Sequence, residues 1–202
     1  MSIFQNTCKP VGFGGKLMVH SMNMGHAAMA SWGFSHIPVP EKGHCLDIGC
    51  GGGKNLQNLL EKCPRGTVTG VDYSEVSVEA SRKKNRKAIE AGRCQVLQAN
   101  VLELPFEAES CDLCTAFETV YFWPDILRSF QEVCRVTKPG GVFAIVNEDN
   151  GETGNSQKWA EKIDGMSVYT EAQLRKLLHQ AGFLDVQAFQ NEKSWMALIA
   201  RK

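Results

Sequence analysis

The stretch from Cys45 to Asn55, CLDIGCGGGKN, constrains this chain more than any other. A short apolar run carries the carboxylate of Asp47 and ends at Ile48. The backbone then enters Gly49, Gly51, Gly52 and Gly53, after which Leu56, Leu59 and Leu60 recur at helical spacing. This pattern predicts a strand, a tight turn and the start of a helix. Glycines suit such a turn because a side chain would hold a ligand off the main chain, while bared N–H groups and the helix dipole favour negative or electron-rich groups.

The spacing narrows what the turn can serve. A dinucleotide fingerprint G-x-G-x-x-G begun at Gly49 needs its third glycine where Lys54 stands, and it also fails from Gly51 or Gly52. A phosphate-binding loop ending at Gly53-Lys54 needs glycine at Ile48 and a hydroxyl at Asn55, and finds neither. What fits is D-x-G-x-G-x-G, read as Asp47, Gly49, Gly51 and Gly53. It resembles motif I of the class I S-adenosylmethionine-dependent methyltransferases. The competing reading is a glycine-rich strand-to-helix turn without a ligand.

Downstream segments extend the resemblance. Thr67 to Asp72 reads as a second buried strand, closed by an acid about a score of residues beyond the glycine turn, where nucleotide-binding folds place a carboxylate for ribose hydroxyls. Ser74 caps the following long basic helix, with Val76, Val78, Ala80 and Ile89 facing inward, and Gly92 ends it. After a third strand, Cys94 to Gln98, comes Ala99 to Phe106. This segment is similar to that of small-molecule and quinone-type methyltransferases, with Asn100 where the family usually has an aspartate that binds the adenine amino group. The asparagine can still accept through its amide oxygen. Arg135 to Gly141 resembles the family's R-x-L-K-P-G-G segment, with threonine for leucine, and is expected to serve packing alone.

The resemblance implies S-adenosyl-L-methionine as cofactor, held by Asp47, Gly49, Cys50, Gly51, Gly53, Asn55, Asp72, Tyr73, Asn100, Val101, Phe117 and Glu118. Glu118 follows a fourth strand, Asp112 to Phe117, and is expected either to hold the methionyl end or to orient the acceptor. Three aromatics come next, Tyr121, Phe122 and Trp123. Adjacent positions point in different directions, so they are not all expected to be core. His26, Trp32, Tyr121, Trp123 and Tyr169 are the candidate substrate contacts.

Alternating strands and helices, without repeats or a disordered linker, predict one doubly wound α/β domain over residues 1–202. From the family comes a mostly parallel seven-stranded sheet with an antiparallel C-terminal hairpin, Val186–Phe189 and Trp195–Ala200. Residues 1–40 are expected to form a helical lid. A stripe of Met18, Met22, Gly25, Met29 and Trp32 fits both a lid and a helix that merely covers the core. Residues 41–202 make the cofactor-binding core, with a polar insertion at 147–168 and a helix that Thr170 opens with Glu171 and Gln173, running through His179 and closed by Ala181-Gly182.

Composition excludes several partners. Lys+Arg and Asp+Glu are both 22, which gives no reason to expect a nucleic acid. No run has the length of a membrane span, and there is no export signal, so a cytoplasmic protein is expected. Eight cysteines are scattered through a chain that can hold a core without disulfides. Cys111 and Cys114 form a C-x-x-C, but on a strand an odd separation should place them on opposite faces, a poor metal or redox pair. No metal is expected.

The expected reaction is methyl transfer to a small, apolar or aromatic metabolite; no Asn-Pro-Pro-Tyr segment follows the fourth strand. A general base is needed only for an acceptor that carries a proton, and Glu118, Tyr121, His20 and His26 are the candidates. A cofactor-binding module without transfer activity is the alternative, and a nicotinamide dehydrogenase a third.

Overall fold

The computed structural model of the protein describes residues 27–153, 158 and 160–202. The elements, in chain order, are α1 (Ala27–His36), β1 (His44–Ile48), α2 (Lys54–Lys62), β2 (Thr67–Asp72), α3 (Glu75–Lys84), α4 (Arg86–Glu90) and β3 (Cys94–Gln98). There follow β4 (Cys111–Phe117), a 3-10 turn (Val120–Phe122), α5 (Ile126–Val136), β5 (Thr137–Asn147), α6 (Glu171–Ala181), β6 (Asp185–Gln190) and β7 (Met196–Arg201).

The strands form one seven-stranded sheet in the order β3-β2-β1-β4-β5-β7-β6. β1 to β5 pair in parallel, and β7 runs antiparallel to both β5 and β6. The order reverses between β1 and β4. In open α/β sheets, ligands bind beyond the carboxyl ends of the strands at such a reversal.

Side chains alternate across the sheet and feed two cores. Leu46, Phe143 and Leu198 pack with Phe130, Val133, Leu174 and Leu178, under α5 and α6. Cys45, Leu113 and Ala144 pack on the other face with Met29, Phe34, Leu56, Leu59 and Val78, from α1, α2 and α3. Two-sided burial is the reason these strands read as near-continuous apolar runs.

The long basic helix expected after Ser74 is broken at Asn85. Ser74 caps its first part through Ser77 N–H, as expected. Asn85, 3% exposed, donates its Nδ2 to Gly53 O and to Ser81 O, both at 3.0 Å. A residue pulled inward to hold the glycine turn interrupts the helix. The buried side is therefore Ser77, Val78 and Ser81, while Val76, Ala80 and Ile89 are only half-buried.

At the other end of the sheet, Gly140 and Gly141 exchange main-chain hydrogen bonds with Lys202, and Lys202 Nζ donates to Cys134 O and Thr137 O at 2.9 Å. The turn at 138–141 thus clamps the last residue of β7's extension. β5 starts before this turn, at Thr137, because Cys111 pairs with Thr137 ahead of a register shift towards Leu113. The structure corrects the expectation for Cys111 and Cys114: both lie in the α5–α6 core, on the same face, while Leu113 between them packs in the other core. The extra residues at the irregularity, 138–141, belong to β5, and regular pairing with β4 resumes only at Leu113 and Val142, so Cys111 stands outside the two-residue alternation of the strand that follows. α6 opens with a capping box between Thr170 and Gln173 and closes at Gly182, φ +110°.

The stripe residues Met18, Met22 and Gly25, and with them His20 and His26, lie outside the described residues. Of the expected N-terminal helix, α1 is described. It packs against β5 and β7.

Candidate active site

A cavity of about 760 Å³ opens at the carboxyl ends of β1, β2 and β4. Its size lies in the range of small-molecule and cofactor sites, roughly 300–1,000 Å³. The floor is the turn after β1. Gly49 has φ +79°, and a Cβ there would run into the Thr119 hydroxyl, so strand β4's exit packs directly on the glycine backbone. Gly51 has φ +50°, and a Cβ there would meet no atom within 4 Å. The turn therefore bares main chain to open cavity where any side chain would intrude.

Asp72 stands at the tip of β2 on the cavity wall, 7% exposed. Its Oδ2 accepts Gly51 N–H at 2.9 Å and its Oδ1 accepts Ser74 N–H at 2.9 Å. Burial pushes its carboxyl up, and those two donors pull it back. A carboxylate has about four lone-pair sites, so each oxygen keeps one for a ligand hydroxyl. Asn100 and Val101 line the same wall beyond Asp72. The Asn100 amide oxygen already accepts Leu102 N–H at 3.0 Å, which orients the side chain and leaves one lone pair and the NH₂ for an adenine edge.

Most of the residues expected to hold the cofactor surround this space: Gly49, Cys50, Gly51, Asn55, Asp72, Tyr73, Asn100, Val101, Phe117 and Glu118. Asp47 and Gly53 do not reach it. Asp47 is 1% exposed and accepts the Thr115 hydroxyl at 2.7 Å, and burial, with the neighbouring Asp72 charge, pushes its carboxyl up to about 7. It supports the turn from below. Gly53 caps α2 in the left-handed conformation, packed against Ser81 and Asn85.

Of the expected substrate contacts, Trp123 lines the cavity together with its neighbour Phe122. Tyr121 does not. It is 5% exposed, and its hydroxyl donates to Glu118 Oε1 at 3.3 Å. Trp32 packs at the edge of the core under α1, against Trp195 with ring centroids 6.0 Å apart, and Tyr169 packs on the α5–α6 core; neither lines the cavity. His26 lies outside the described residues.

α1 both covers the core and borders the cavity. Gly33 lies so close to β5 that a Cβ would come within 2.6 Å of Val146 Cγ1, and Phe34 packs on Phe117 with centroids 4.8 Å apart. The same helix turns Met29, Ala30 and Phe34 into the cavity wall. Sequence reasoning had Met29 in its stripe but missed Phe34, which sits one helical turn beyond Ala30. It also missed Thr119, whose role depends on a contact with Gly49 that no local pattern announces.

Glu118 is the most unusual residue of the site. It adopts φ +56° without being glycine, lines the cavity, and accepts at Oε1 from both Tyr121 and the main-chain N–H of Glu148. Burial, and the neighbouring charges of Glu148 and Asp149, push its carboxyl up to about 8.

Comparison with known proteins agrees with this geometry. The family model described as "Methyltransferase domain" matches residues 46–145. The chain is similar to sterol 4-C-methyltransferase strm-1 of Caenorhabditis elegans, 26% identical over 174 residues, which are 82% of this chain and 50% of that protein. An O-methyltransferase of Pyrenophora dematioidea is 26% identical over 144 residues, 69% of this chain and 54% of that one. The chain spans about half the length of these curated relatives. A SAM-dependent methyltransferase structure from Aquifex aeolicus superposes with a TM-score of 0.76 at 20% identity, covering 92% of this chain and 97% of the other, which shows a shared fold. A bared glycine turn, an acid at the tip of β2 and a matching domain over the strands that carry them lead to one assignment: the chain belongs to the class I S-adenosylmethionine-dependent methyltransferases.

Proposed function

We propose that the protein transfers a methyl group from S-adenosylmethionine to a small acceptor with an apolar or aromatic body. The observation that carries this reading is Gly51: its main chain faces open cavity, and its N–H is fixed by the acid suited to a ribose. The residues present fit the cofactor. Asp72 would take the ribose hydroxyls, Asn100 and Val101 the adenine edge, and the turn from Gly49 to Gly51 the methionyl end. When bound, the cofactor supplies a methyl group made electrophilic by its sulfonium.

The chain's own work is then to hold the acceptor in line and to exclude water. Met29 and Phe34 from α1, with Phe122 and Trp123 after β4, give the free part of the cavity apolar walls, and aromatic faces attract a neighbouring cation. That lining supports an apolar acceptor. So do the relatives, one a sterol 4-C-methyltransferase and one an O-methyltransferase. The free thiols of the described cysteines support a reducing compartment such as the cytoplasm. Among the described residues, no helix is long and apolar enough to cross a membrane.

Calorimetry with S-adenosylmethionine and with its demethylated product tests the reading. Binding of both at micromolar levels is expected. Failure of both at millimolar levels would end it, and binding without methylation of any of a panel of phenols, thiols and sterols would favour the binding-module alternative.

A further inference from the structure

We propose that Glu118 stands at the methyl-transfer point of the cavity and takes the proton of a hydroxyl group on the acceptor, with Tyr121 as its positioning residue. This rests on the methyl-transfer reading above and adds to it the chemical class of the acceptor.

Placement is the first argument. Asp72 ends β2 and Glu118 directly follows β4, strands on opposite sides of β1. A ligand whose sugar is held at Asp72 and which crosses the glycine turn brings its far end to β4. Phe122 and Trp123, on the chain just beyond Glu118, wall the space that follows.

The second argument is what the fold maintains to keep Glu118 there. A left-handed conformation at a non-glycine residue is strained and persists where the surroundings over-determine it. Here Glu118 N–H donates to Val146 O at 2.9 Å, and Oε1 accepts from Tyr121 and from Glu148 N–H. Tyr121 is itself held, since its carbonyl accepts Ser167 N–H at 2.8 Å and its hydroxyl accepts from the main chain of Asp149. One carboxyl oxygen is thus pinned by the 3-10 turn and the β5 tip.

Charge completes the case. The groups that face Glu118 are Tyr121, Glu148 and Asp149; its carboxyl, pushed up to about 8, carries its proton at neutral pH until a cation arrives. A sulfonium in the cavity draws the carboxyl into its ionised form, because an opposite charge favours ionisation. In the transfer, a lone pair of the acceptor oxygen forms the O–C bond, the C–S electron pair remains on sulfur, and the O–H proton passes to Glu118. The site starts with a cation and a carboxylate and ends with a neutral thioether and a neutral acid, so no charge is stranded in the apolar cavity. An ammonium acceptor would enter as a second cation beside the first, and a thiol ionises near neutrality without a base.

The test compares three ligands by calorimetry: S-adenosylhomocysteine, S-adenosylmethionine, and sinefungin, in which a carbon-borne amine replaces the S-methyl group. If Glu118 faces the methyl position, Glu118→Gln weakens sinefungin by roughly tenfold or more, the scale of one charge-assisted hydrogen bond. S-adenosylhomocysteine should change by less than about threefold on the same scale. Tyr121→Phe, which removes a donor to the carboxylate, should move the pH dependence of sinefungin binding to higher pH. An equal loss for all three ligands would show that Glu118 holds their shared ammonium group, and overturns the proposal; so does no change at all. If the wild-type protein binds none of the three, the methyl-transfer reading itself has failed.

Discussion

Asp72 Oδ2 accepts the main-chain N–H of Gly51 at 2.9 Å, so the acid that ends β2 also fixes the turn that follows β1. One carboxylate joins the two parts of the cofactor cradle, and removing it should do more than delete a sugar contact. Asp72→Ala is expected to weaken S-adenosylhomocysteine binding by roughly 10- to 100-fold, from the about 1.5–3 kcal/mol of a hydrogen bond to a charged group. Asp72→Asn, which keeps one acceptor oxygen, should lose less. Calorimetric dissociation constants check both, and an unchanged constant for the alanine variant would contradict the placement of the ribose.

Gly51→Ala separates folding from binding. The added Cβ meets no protein atom within 4 Å, but it must occupy φ +50° and it projects into the cavity. The left-handed cost, about 1–2 kcal/mol, should show as a modest drop in denaturation midpoint. Cofactor binding should fall much further. Equal binding by the variant would mean that the bared turn is not the contact surface.

Gly33→Ala sets two effects against each other. Alanine in place of a helical glycine favours α1 by about 1 kcal/mol. The new Cβ, 2.6 Å from Val146 Cγ1, must push a β-branched side chain of β5 that has little freedom to move. Overpacking of this kind costs about 1–3 kcal/mol, so a net loss of stability is expected. Because Met29 and Phe34 on the same helix line the cavity, cofactor affinity should fall with it. Urea denaturation and calorimetry on the same preparation measure both.

The buried Asp47 predicts a pH dependence. Its carboxyl is pushed from 3.8 to about 7, chiefly by burial, so the folded protein binds this proton more tightly than the unfolded chain does. Its contribution favours folding below about pH 4, and is lost progressively as the pH rises to about 7. Asp47→Asn preserves an acceptor for the Thr115 hydroxyl and removes the ionisation. The variant should therefore gain stability over wild type at pH 8, by about 2–4 kcal/mol at 1.36 kcal/mol per unit, with the gap closing towards pH 4. Asp72 and Glu118 are shifted in the same direction and leave a residual slope. Thermal melts across that range decide it.

Much of the fold was legible because it is written in local signals. The strands around Cys45–Ile48 and Thr67–Asp72, the caps at Ser74 and Thr170, and the closing Gly182 depend on neighbours a few residues away, and they stand where the pattern put them. Asn85 and Cys111 were misread for the opposite reason. One breaks a helix to reach Gly53 across the fold, and the other lies before the point where β4 enters regular register with β5.

The glycine spacing, the acid at position 72 and the alternation of strand and helix were enough, on the amino-acid sequence alone, to determine an α/β sheet with a bared turn beside a carboxylate, while the strand order and the methyl donor came from the resemblance those residues carry. These features follow from steric freedom at glycine and from hydrophobic period, both of which are properties of short stretches of chain. Which aromatic residues face the cavity, that Trp32 and Tyr169 do not, that Tyr121 turns to Glu118, and that Phe34 and Thr119 complete the walls were decided only by tertiary structure. A side chain's direction at a strand tip is set by what packs against it from elsewhere in the chain, and no local period encodes that.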